Sequence, residues 1–163
     1  MSFDSALQRK ILGRFATGVT VVTSGDSESC CAMTANAVMS LSLDPPLVLI
    51  AVGKRNRTAQ QITECGCFAI NVLGAEQEPV ARRFATNGVK DLSGVACSRA
   101  ETGAPVLTDA LSWVECRLVE TLPGGDHYVF IGEIVAGAAR EGAPLLFYAG
   151  AYGRLASADS AAV

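Results

Sequence analysis

The sequence predicts a mainly β fold, a closed or nearly closed antiparallel barrel with short flanking helices. Several short segments, about six or seven, have the β-branched or alternating composition of strands, and Gly, Pro and Asp turns separate them. The helical patterns between them are too short for a doubly wound α/β fold, in which long helices alternate with strands. Closure of an antiparallel sheet would also remove the exposed edge strands of an open one.

Composition limits the size and class of the protein. The chain has 163 residues, of which 50% are hydrophobic and 18% charged, with a formal net charge of -3. We expect a single domain over residues 1–163, since two full domains would be cramped in this length. The hydrophobicity excludes an intrinsically disordered chain, and the mild acidity argues against nucleic acid as a partner. So many apolar residues on a short chain also predict a buried interface between subunits.

The sequence predicts a cytoplasmic protein that does not bind membranes. The N-terminal residues Met1–Asp4 are polar and acidic, unlike a secretory signal. The densest apolar run, Leu47–Val52, is far shorter than the roughly 20 residues of a membrane span. The cysteines are expected to be reduced small hydrophobes. They are Cys30, Cys31, Cys65, Cys67, Cys97 and Cys116.

The first half of the chain predicts one helix and three apolar strand segments. Helical spacing of apolar residues starts after Ser2 or Asp4, and we expect Gly18 to end this helix. The strand segments are Val19–Thr23, the long small-residue stretch Cys30–Leu43, and Leu47–Val52.

The second half predicts two short helices and further strands. Thr58 and Gln61 have the spacing of a capping box, and Cys65–Gly66 should end that helix. Pro79 suits the first turn of the second helix. Alternation around Glu115 and Arg117 predicts a strand that exposes both charges to solvent. The other predicted elements are the strand Cys67–Leu73, the loop-rich stretch 86–108, a Pro123–Asp126 turn, and the strands Tyr128–Ala138 and Pro144–Tyr148.

Several common active-site motifs are missing from the sequence. No G-x-G-x-x-G follows a strand, and no G-x-S-x-G elbow is present. Gly53-Lys54 resembles the end of a P-loop, but Val48 stands where that motif needs glycine. Cys65 and Cys67 with the single His127 make a closed zinc site improbable. The sequence predicts no metal.

Three segments carry candidate chemistry, and each has a plainer structural interpretation. Ala32–Ser40 is rich in small and polar residues that suit a flat heterocycle lying against the backbone, or a tightly packed interface strand. Gly53–Thr58 carries three basic residues before a helix N-terminus, which favours a phosphate; it could also be a solvated turn. The glycines before His127 place it at the mouth of a strand, where it could contact a second ligand or lie on the surface.

The order of these motifs resembles the short-chain flavin reductase family, the reductase components of two-component flavin-dependent monooxygenases. The resemblance covers about Phe15 to Leu155. The matching segments are Phe15–Thr23, Thr34–Ser40, Asp44–Leu49, Asn56–Thr58, Phe68–Leu73, Arg83–Ala85, Gly125–His127, and Pro144–Tyr148 with Tyr152.

This resemblance implies a split β-barrel of the Greek-key, FMN-binding type that forms a homodimer, with the flavin in a groove near the subunit interface. It implies FMN or FAD together with NADH or NADPH as reductant, and leaves both choices open. The implied flavin-binding residues are Thr34, Ala35, Asn36, Ala37, Ser40, Ala51, Gly53, Asn56, Arg57, Thr58 and Phe84. The implied nicotinamide-binding residues are His127, Tyr148 and Tyr152, and His127 is the catalytic candidate. Ala143–Tyr148 lacks the basic residues that some members carry, which leaves the adenosine end of the dinucleotide unassigned.

The implied activity is hydride transfer from the nicotinamide C4 to the flavin N5, followed by diffusion of reduced flavin to a partner monooxygenase. The flavin supplies the reactivity, so the protein supplies position and electrostatics. Two alternatives remain: a non-catalytic flavin carrier of the same barrel class, and a pyridoxine-phosphate oxidase-like enzyme. The latter needs basic residues for a second phosphate, and the sequence shows no convincing set.

Overall fold

A computed structural model describes residues 3–86 and 91–156 of the chain. Three helices, α1 to α3, cover Ser5–Leu12, Arg57–Cys65 and Glu78–Ala85, and a 3-10 turn covers Ala75–Gln77. The strands β1 to β6 are Thr17–Gly18, Thr20–Gly25, Cys30–Ala35, Val38–Leu43, Pro46–Gly53 and Cys67–Val72. The strands β7 to β12 are Cys97–Ser98, Val106–Leu107, Ser112–Gly124, His127–Ala139, Leu145–Tyr148 and Ala151–Arg154. The small-residue tail lies outside the described residues from 157 onward.

The strands form three antiparallel sheets. The largest has seven strands in the order β3-β2-β6-β9-β10-β5-β4, and the others are β1-β11-β12 and β7-β8. The mainly β prediction is therefore confirmed. The expectation of a closed or nearly closed barrel is corrected in one respect: within the described ranges no ladder joins the edge strands β3 and β4, so the sheets are open. These two edges nevertheless belong to one stretch of chain, because only Asn36 and Ala37 separate Ala35 from Val38.

The seven-stranded sheet wraps around the main hydrophobic core. Every strand except β4 contributes a buried side chain to it, and Val38 of β4 packs against it. Ala59 and Ile62 of α2 complete this cluster. A second cluster joins α3 to β2, β3 and β11, and a third lies between β6, β9 and the loop before β8. Strand β2 thus packs on both faces, with Val22 in the first cluster and Val21 in the second.

Three predicted element boundaries were wrong. Helix α1 ends at Leu12 with Gly13 as its C-cap, while Gly18 lies in β1. Helix α2 is capped by Asn56, whose side-chain oxygen accepts the Thr58 N–H at 2.9 Å, so Thr58 is not the cap. The long segment Cys30–Leu43 is two strands on opposite edges of the sheet. Composition could not show this break, because both halves are similarly apolar.

The prediction that β9 exposes both Glu115 and Arg117 was also wrong. Glu115 is fully buried. Its carboxylate accepts backbone N–H groups from Ala100 at 3.4 Å, Glu101 at 2.6 Å and Thr102 at 3.3 Å, and the Thr102 hydroxyl at 3.0 Å. The loop that supplies these donors is remote in sequence, which explains why alternation in β9 could not reveal the burial.

The six cysteines are free. Cys31, Cys67 and Cys116 are buried, as expected for small hydrophobes, and burial raises the pKa of the Cys116 thiol to about 12. Cys65 and Cys97 are exposed. Among the described residues, no helix is long and apolar enough to cross a membrane.

Candidate functional site

The break between β3 and β4 forms a strap of exposed small and polar residues. Asn36 and Ala37 are exposed, whereas the neighbouring Ala35 is buried and fixes the strap to the core. The Ala51 N–H donates to the Ala37 carbonyl at 3.0 Å, which ties the strap to β5. Ser40 is exposed farther along β4. A flat ligand lying against this strap would meet little side-chain bulk, as the sequence predicts.

A cleft opens on one side of the strap. It holds about 170 Å³. This is below the range of roughly 300–1,000 Å³ that is usual for small-molecule sites. Phe147 and Tyr152 are paired across β11 and β12, with ring centroids 5.4 Å apart. Burial raises the pKa of the Tyr152 hydroxyl, and the Arg82 guanidinium lies 4.9 Å from the centre of its ring. The lining residues are Val19, Thr34, Ala35, Asn36, Ala85, Phe147 and Tyr152.

Two of the predicted flavin-binding residues connect this cleft to α3. The Thr34 hydroxyl donates to the Ala81 carbonyl at 2.7 Å and so attaches β3 to α3. Phe84 is fully buried in the second core cluster, with the Arg83 guanidinium 5.2 Å from the centre of its ring. Both residues position α3, and Ala85, the last residue of that helix, reaches the cleft.

The Gly53–Thr58 loop presents positive charge beside the N-terminus of α2. Lys54, Arg55 and Arg57 are exposed, and none of them forms an ion pair with the described part of the chain. Asn56 uses its side-chain oxygen to cap the helix. The N–H donors of the same side-chain amide are not used in this contact and can bind a ligand. The positive end of the helix dipole and the unpaired arginines together favour an anion at this end of α2.

Thr58 lies deeper than the rest of this loop. Its hydroxyl oxygen is buried and makes no hydrogen bond within the described structure. The Cys31 thiol lies beside it. Burial raises the pKa of Cys31, and Thr58 and Arg57 partly offset this effect. An unsatisfied buried hydroxyl at a basic helix N-terminus fits a ligand that supplies an acceptor oxygen.

His127 lies directly beside the basic loop. It pairs with Gly53 across β10 and β5, and a Cβ added at Gly53 would lie 3.9 Å from the His127 Nε2. The Lys54 N–H donates to the Asp126 carbonyl at 3.0 Å. The His127 Nδ1–H donates to the Asp126 carboxylate at 2.7 Å, and this contact holds the pKa of that carboxyl below its usual value. The imidazole is half-exposed and is oriented by a neighbour in sequence.

The structure therefore joins the predicted residues into two groups. Ala51 and Gly53 lie two residues apart on β5, about 7 Å, and connect the strap to the pair formed by Gly53 and His127. Tyr152 belongs to the cleft with Thr34 and Asn36. Tyr148 lies outside that cleft: it is 46% exposed, and its hydroxyl accepts a hydrogen bond from Arg14 at 3.3 Å.

Sequence reasoning missed Phe147, Val19 and Ala85 as lining residues. Phe147 could have been found from strand alternation, because Leu145 and Phe147 share a face that Tyr148 does not. Val19 and Ala85 carry no such signal, since their place depends on how α3 and β2 meet at the strap.

Comparison with known proteins agrees with this architecture. Residues 12–156 match the family described as flavin reductase like domain. The FMN reductase (NADH) SmoA of Agrobacterium fabrum is 40% identical over 146 residues, which cover 90% of this chain and 83% of that protein. The reductase component of a 4-nitrophenol 4-monooxygenase/4-nitrocatechol 2-monooxygenase from Rhodococcus opacus is 38% identical over 150 residues, covering 92% and 80%.

A solved structure shows the same fold. The NADH:FAD oxidoreductase SgcE6 of Streptomyces globisporus superposes with a TM-score of 0.88 at 41% identity, covering 96% of each chain. The family match spans nearly the whole described chain, including the strap, the basic loop and the segment of His127. The chain therefore belongs to the flavin reductase like domain family.

Proposed function

We propose that this protein is an NAD(P)H-dependent flavin reductase that supplies reduced FMN or FAD to a partner monooxygenase. The observation that carries the proposal is the connection along β5. The Ala51–Ala37 hydrogen bond joins the strap to the strand whose end holds both the basic loop and His127. A flat ring, a phosphate and a second planar ligand can thus be bound on one continuous surface.

The flavin ring lies on the strap in this proposal. Ala35, Ala37 and Ala51 keep the surface low, while Asn36 and Ser40 offer donors and acceptors to the polar edge of the ring. Thr34 donates to the Ala81 carbonyl, so its hydroxyl oxygen is left as an acceptor. Phe84 supports the site from the core.

The flavin phosphate lies at the N-terminus of α2. Arg57 and the free amide N–H groups of Asn56 donate to it, and the buried Thr58 hydroxyl gains the acceptor that it lacks. Gly53 permits a close approach to the backbone beside His127.

The nicotinamide is positioned by His127, Tyr148 and Tyr152. When bound, it would supply a hydride from its C4 to the flavin N5, and these three residues would provide the orientation that raises the rate. The Asp126 carboxylate orients the His127 ring through Nδ1, so Nε2 is the ring nitrogen left for a ligand. His127 acts here by contact with the nicotinamide.

The protein acts as a homodimer of split-barrel domains of the Greek-key type, one over residues 1–163 of each chain. The cleft of about 170 Å³ is too small for a whole flavin, so a second copy would complete it. Apolar side chains are exposed on β4, including Leu43 at 91%, and on the segments that flank α1, including Phe15 at 77% and Phe3 at 64%. Such faces mark interaction surfaces.

Reduced flavin then leaves and reaches the monooxygenase component by diffusion. The Rhodococcus relative is itself such a reductase component. The free cysteines favour a reducing compartment, so we place the enzyme in the cytoplasm.

A steady-state assay tests this function. We expect purified protein with FMN or FAD to oxidise NADH or NADPH well above the rate of buffer alone, with one flavin and one nicotinamide preferred. Oxidation no faster than in buffer, with flavin retained through gel filtration, would instead indicate a flavin carrier.

A further inference from the structure

A second basic cleft lies between the end of α1 and the turn that joins β11 to β12. Its volume is about 320 Å³, within the range of small-ligand sites. None of the predicted site residues lines it. The lining residues are Arg9, Lys10, Gly13, Arg14, Ala149 and Gly150.

The positive charge of this cleft is not neutralised by the chain. In residues 3–86 and 91–156, none of the ion pairs includes Arg9, Lys10 or Arg14. Arg9 and Lys10 lie in the last turn of α1 and also complement its negative dipole end. Arg14 lies beyond the helix, so the dipole does not account for it. Three cations around one concave surface favour an anionic ligand with more than one charged oxygen.

The backbone gives the cleft a defined floor. Ala149 and Gly150 have φ values of 51° and 83°, in the left-handed region. The Ala149 N–H donates to the Gly13 carbonyl at 2.9 Å, which fixes the turn against the end of α1. A non-glycine residue in this conformation is uncommon, and here the hydrogen bond holds it. The position of the β11–β12 turn against α1, and with it the shape of the cleft, is therefore fixed by this hydrogen bond.

This cleft is adjacent to the aromatic residues of the candidate site. Arg14 donates to the Tyr148 hydroxyl at 3.3 Å and lies 6.0 Å from the centre of its ring. Tyr148 pairs with Ala151, the residue before Tyr152. The Cα atoms of the two tyrosines are thus about 6 Å apart. The second basic cleft and the strap are connected through one hairpin.

The strap consequently has a basic cluster on each side. Strand β5 connects the strap, at Ala51, to the loop Gly53–Thr58. The β11–β12 hairpin, which carries Tyr152 and Tyr148, connects the strap to the cleft at Arg14. A flavin with its phosphate at Arg57 uses the first cluster, so an anion at the second belongs to a different ligand.

We propose that Arg9, Lys10 and Arg14 bind the phosphates of the nicotinamide dinucleotide, an inference that rests on the proposed reductase function. The nicotinamide lies between Tyr152 and the flavin, and its pyrophosphate and adenosine pass around the β11–β12 turn, beside Tyr148 on the other face of the hairpin, to α1. This proposal gives the adenosine end of the dinucleotide a binding site, which the segment Ala143–Tyr148 cannot provide because it contains no basic residue.

Charge reversal tests the assignment. Lys10→Glu and Arg14→Glu should each raise the KM for NADH by about three- to fivefold, the upper scale of one exposed charged contact. The KM for flavin should stay within about twofold. Arg117→Glu, an exposed arginine on β9, is the matched control for the change in net charge.

A binding measurement and a truncated substrate separate this inference from the reductase function. Calorimetry should show that ADP-ribose, which has no nicotinamide, binds the wild type and Arg117→Glu but binds Lys10→Glu several-fold more weakly. Reduced nicotinamide mononucleotide, which has no adenosine, should be oxidised equally by all of them. Circular dichroism and melting temperature establish that each variant is folded.

Three results would overturn the proposal while leaving the reductase function intact: an unchanged KM for NADH, unchanged ADP-ribose affinity, or a rise in the flavin KM instead. Absence of both NADH and NADPH oxidation in the wild type would overturn the reductase function itself.

Discussion

The two ends of the β9–β10 hairpin differ sharply in how their polar and small residues are used. At the root, Glu115 is fully buried with four hydrogen-bond donors, and Gly132 is packed against Phe68. At the tip, Asp126 and His127 are exposed and bond to each other. One hairpin therefore combines a rigid support with a tip that is free to contact ligands. Substitutions at the root should lower stability, and substitutions at the tip and its adjacent loop should lower affinity.

The largest effect is expected at Glu115. Glu115→Ala removes a buried carboxylate that accepts three backbone N–H groups and one hydroxyl, and should lower the free energy of unfolding by about 3 kcal/mol or more. Urea unfolding measures this. Glu120→Ala, an exposed position on the same strand, should change it by less than about 0.5 kcal/mol. Equal effects of both changes would contradict the buried role.

Gly132→Ala should be the next most damaging change. An added Cβ would lie 2.5 Å from Phe68 Cζ and 2.8 Å from Cys116 Cβ, so buried neighbours must move. We expect a loss of about 2 kcal/mol, within the usual range for overpacking. Gly18→Ala, whose added Cβ meets nothing within 4 Å, is the control. A melting temperature unchanged by Gly132→Ala would show that the core is looser than the structure indicates.

Arg57→Ala should weaken flavin binding by about 1–3 kcal/mol, the scale of a charge-assisted hydrogen bond. Fluorescence titration with FMN and FAD measures the Kd. Arg55→Ala removes the same charge two residues away and should have a smaller effect. If both variants bind flavin like the wild type, the phosphate role of the loop is wrong.

His127→Ala should raise the KM for NADH about fivefold, roughly 1 kcal/mol, and leave the flavin Kd nearly unchanged. The same substitution should return the pKa of the Asp126 carboxyl toward its ordinary value of 3.8, because the interaction with His127 lowers it. A lowered pKa means that the contact is complete above the ordinary value and is lost as the pH falls through the lowered one. Carboxyl NMR titration of wild type and variant measures this shift, and an unshifted Asp126 in the wild type would contradict the contact.

The candidate site was predictable in parts because its segments are local in sequence. The Gly53–Thr58 loop and the Gly125–His127 turn each carry their chemistry within a few residues, and the hairpin register then brings Gly53 to His127. Thr34, Phe84 and Thr58 were harder to interpret. Their types suggested ligand contacts, but the Thr34 hydroxyl is directed to α3, and Phe84 and the Thr58 hydroxyl are buried. Burial depends on which elements pack together, and no single segment contains that information.

By itself, the sequence determined the mainly β class, most strand positions and the order of the basic and small-residue motifs. These follow from local periodicity, turn residues and charge, which a single segment contains. Only the tertiary structure decided that Cys30–Leu43 divides between two sheet edges, that Glu115 is buried, and that Arg9, Lys10 and Arg14 meet the β11–β12 turn. Each of these depends on contacts between residues far apart in the chain, whose formation is set by the packing of the whole core.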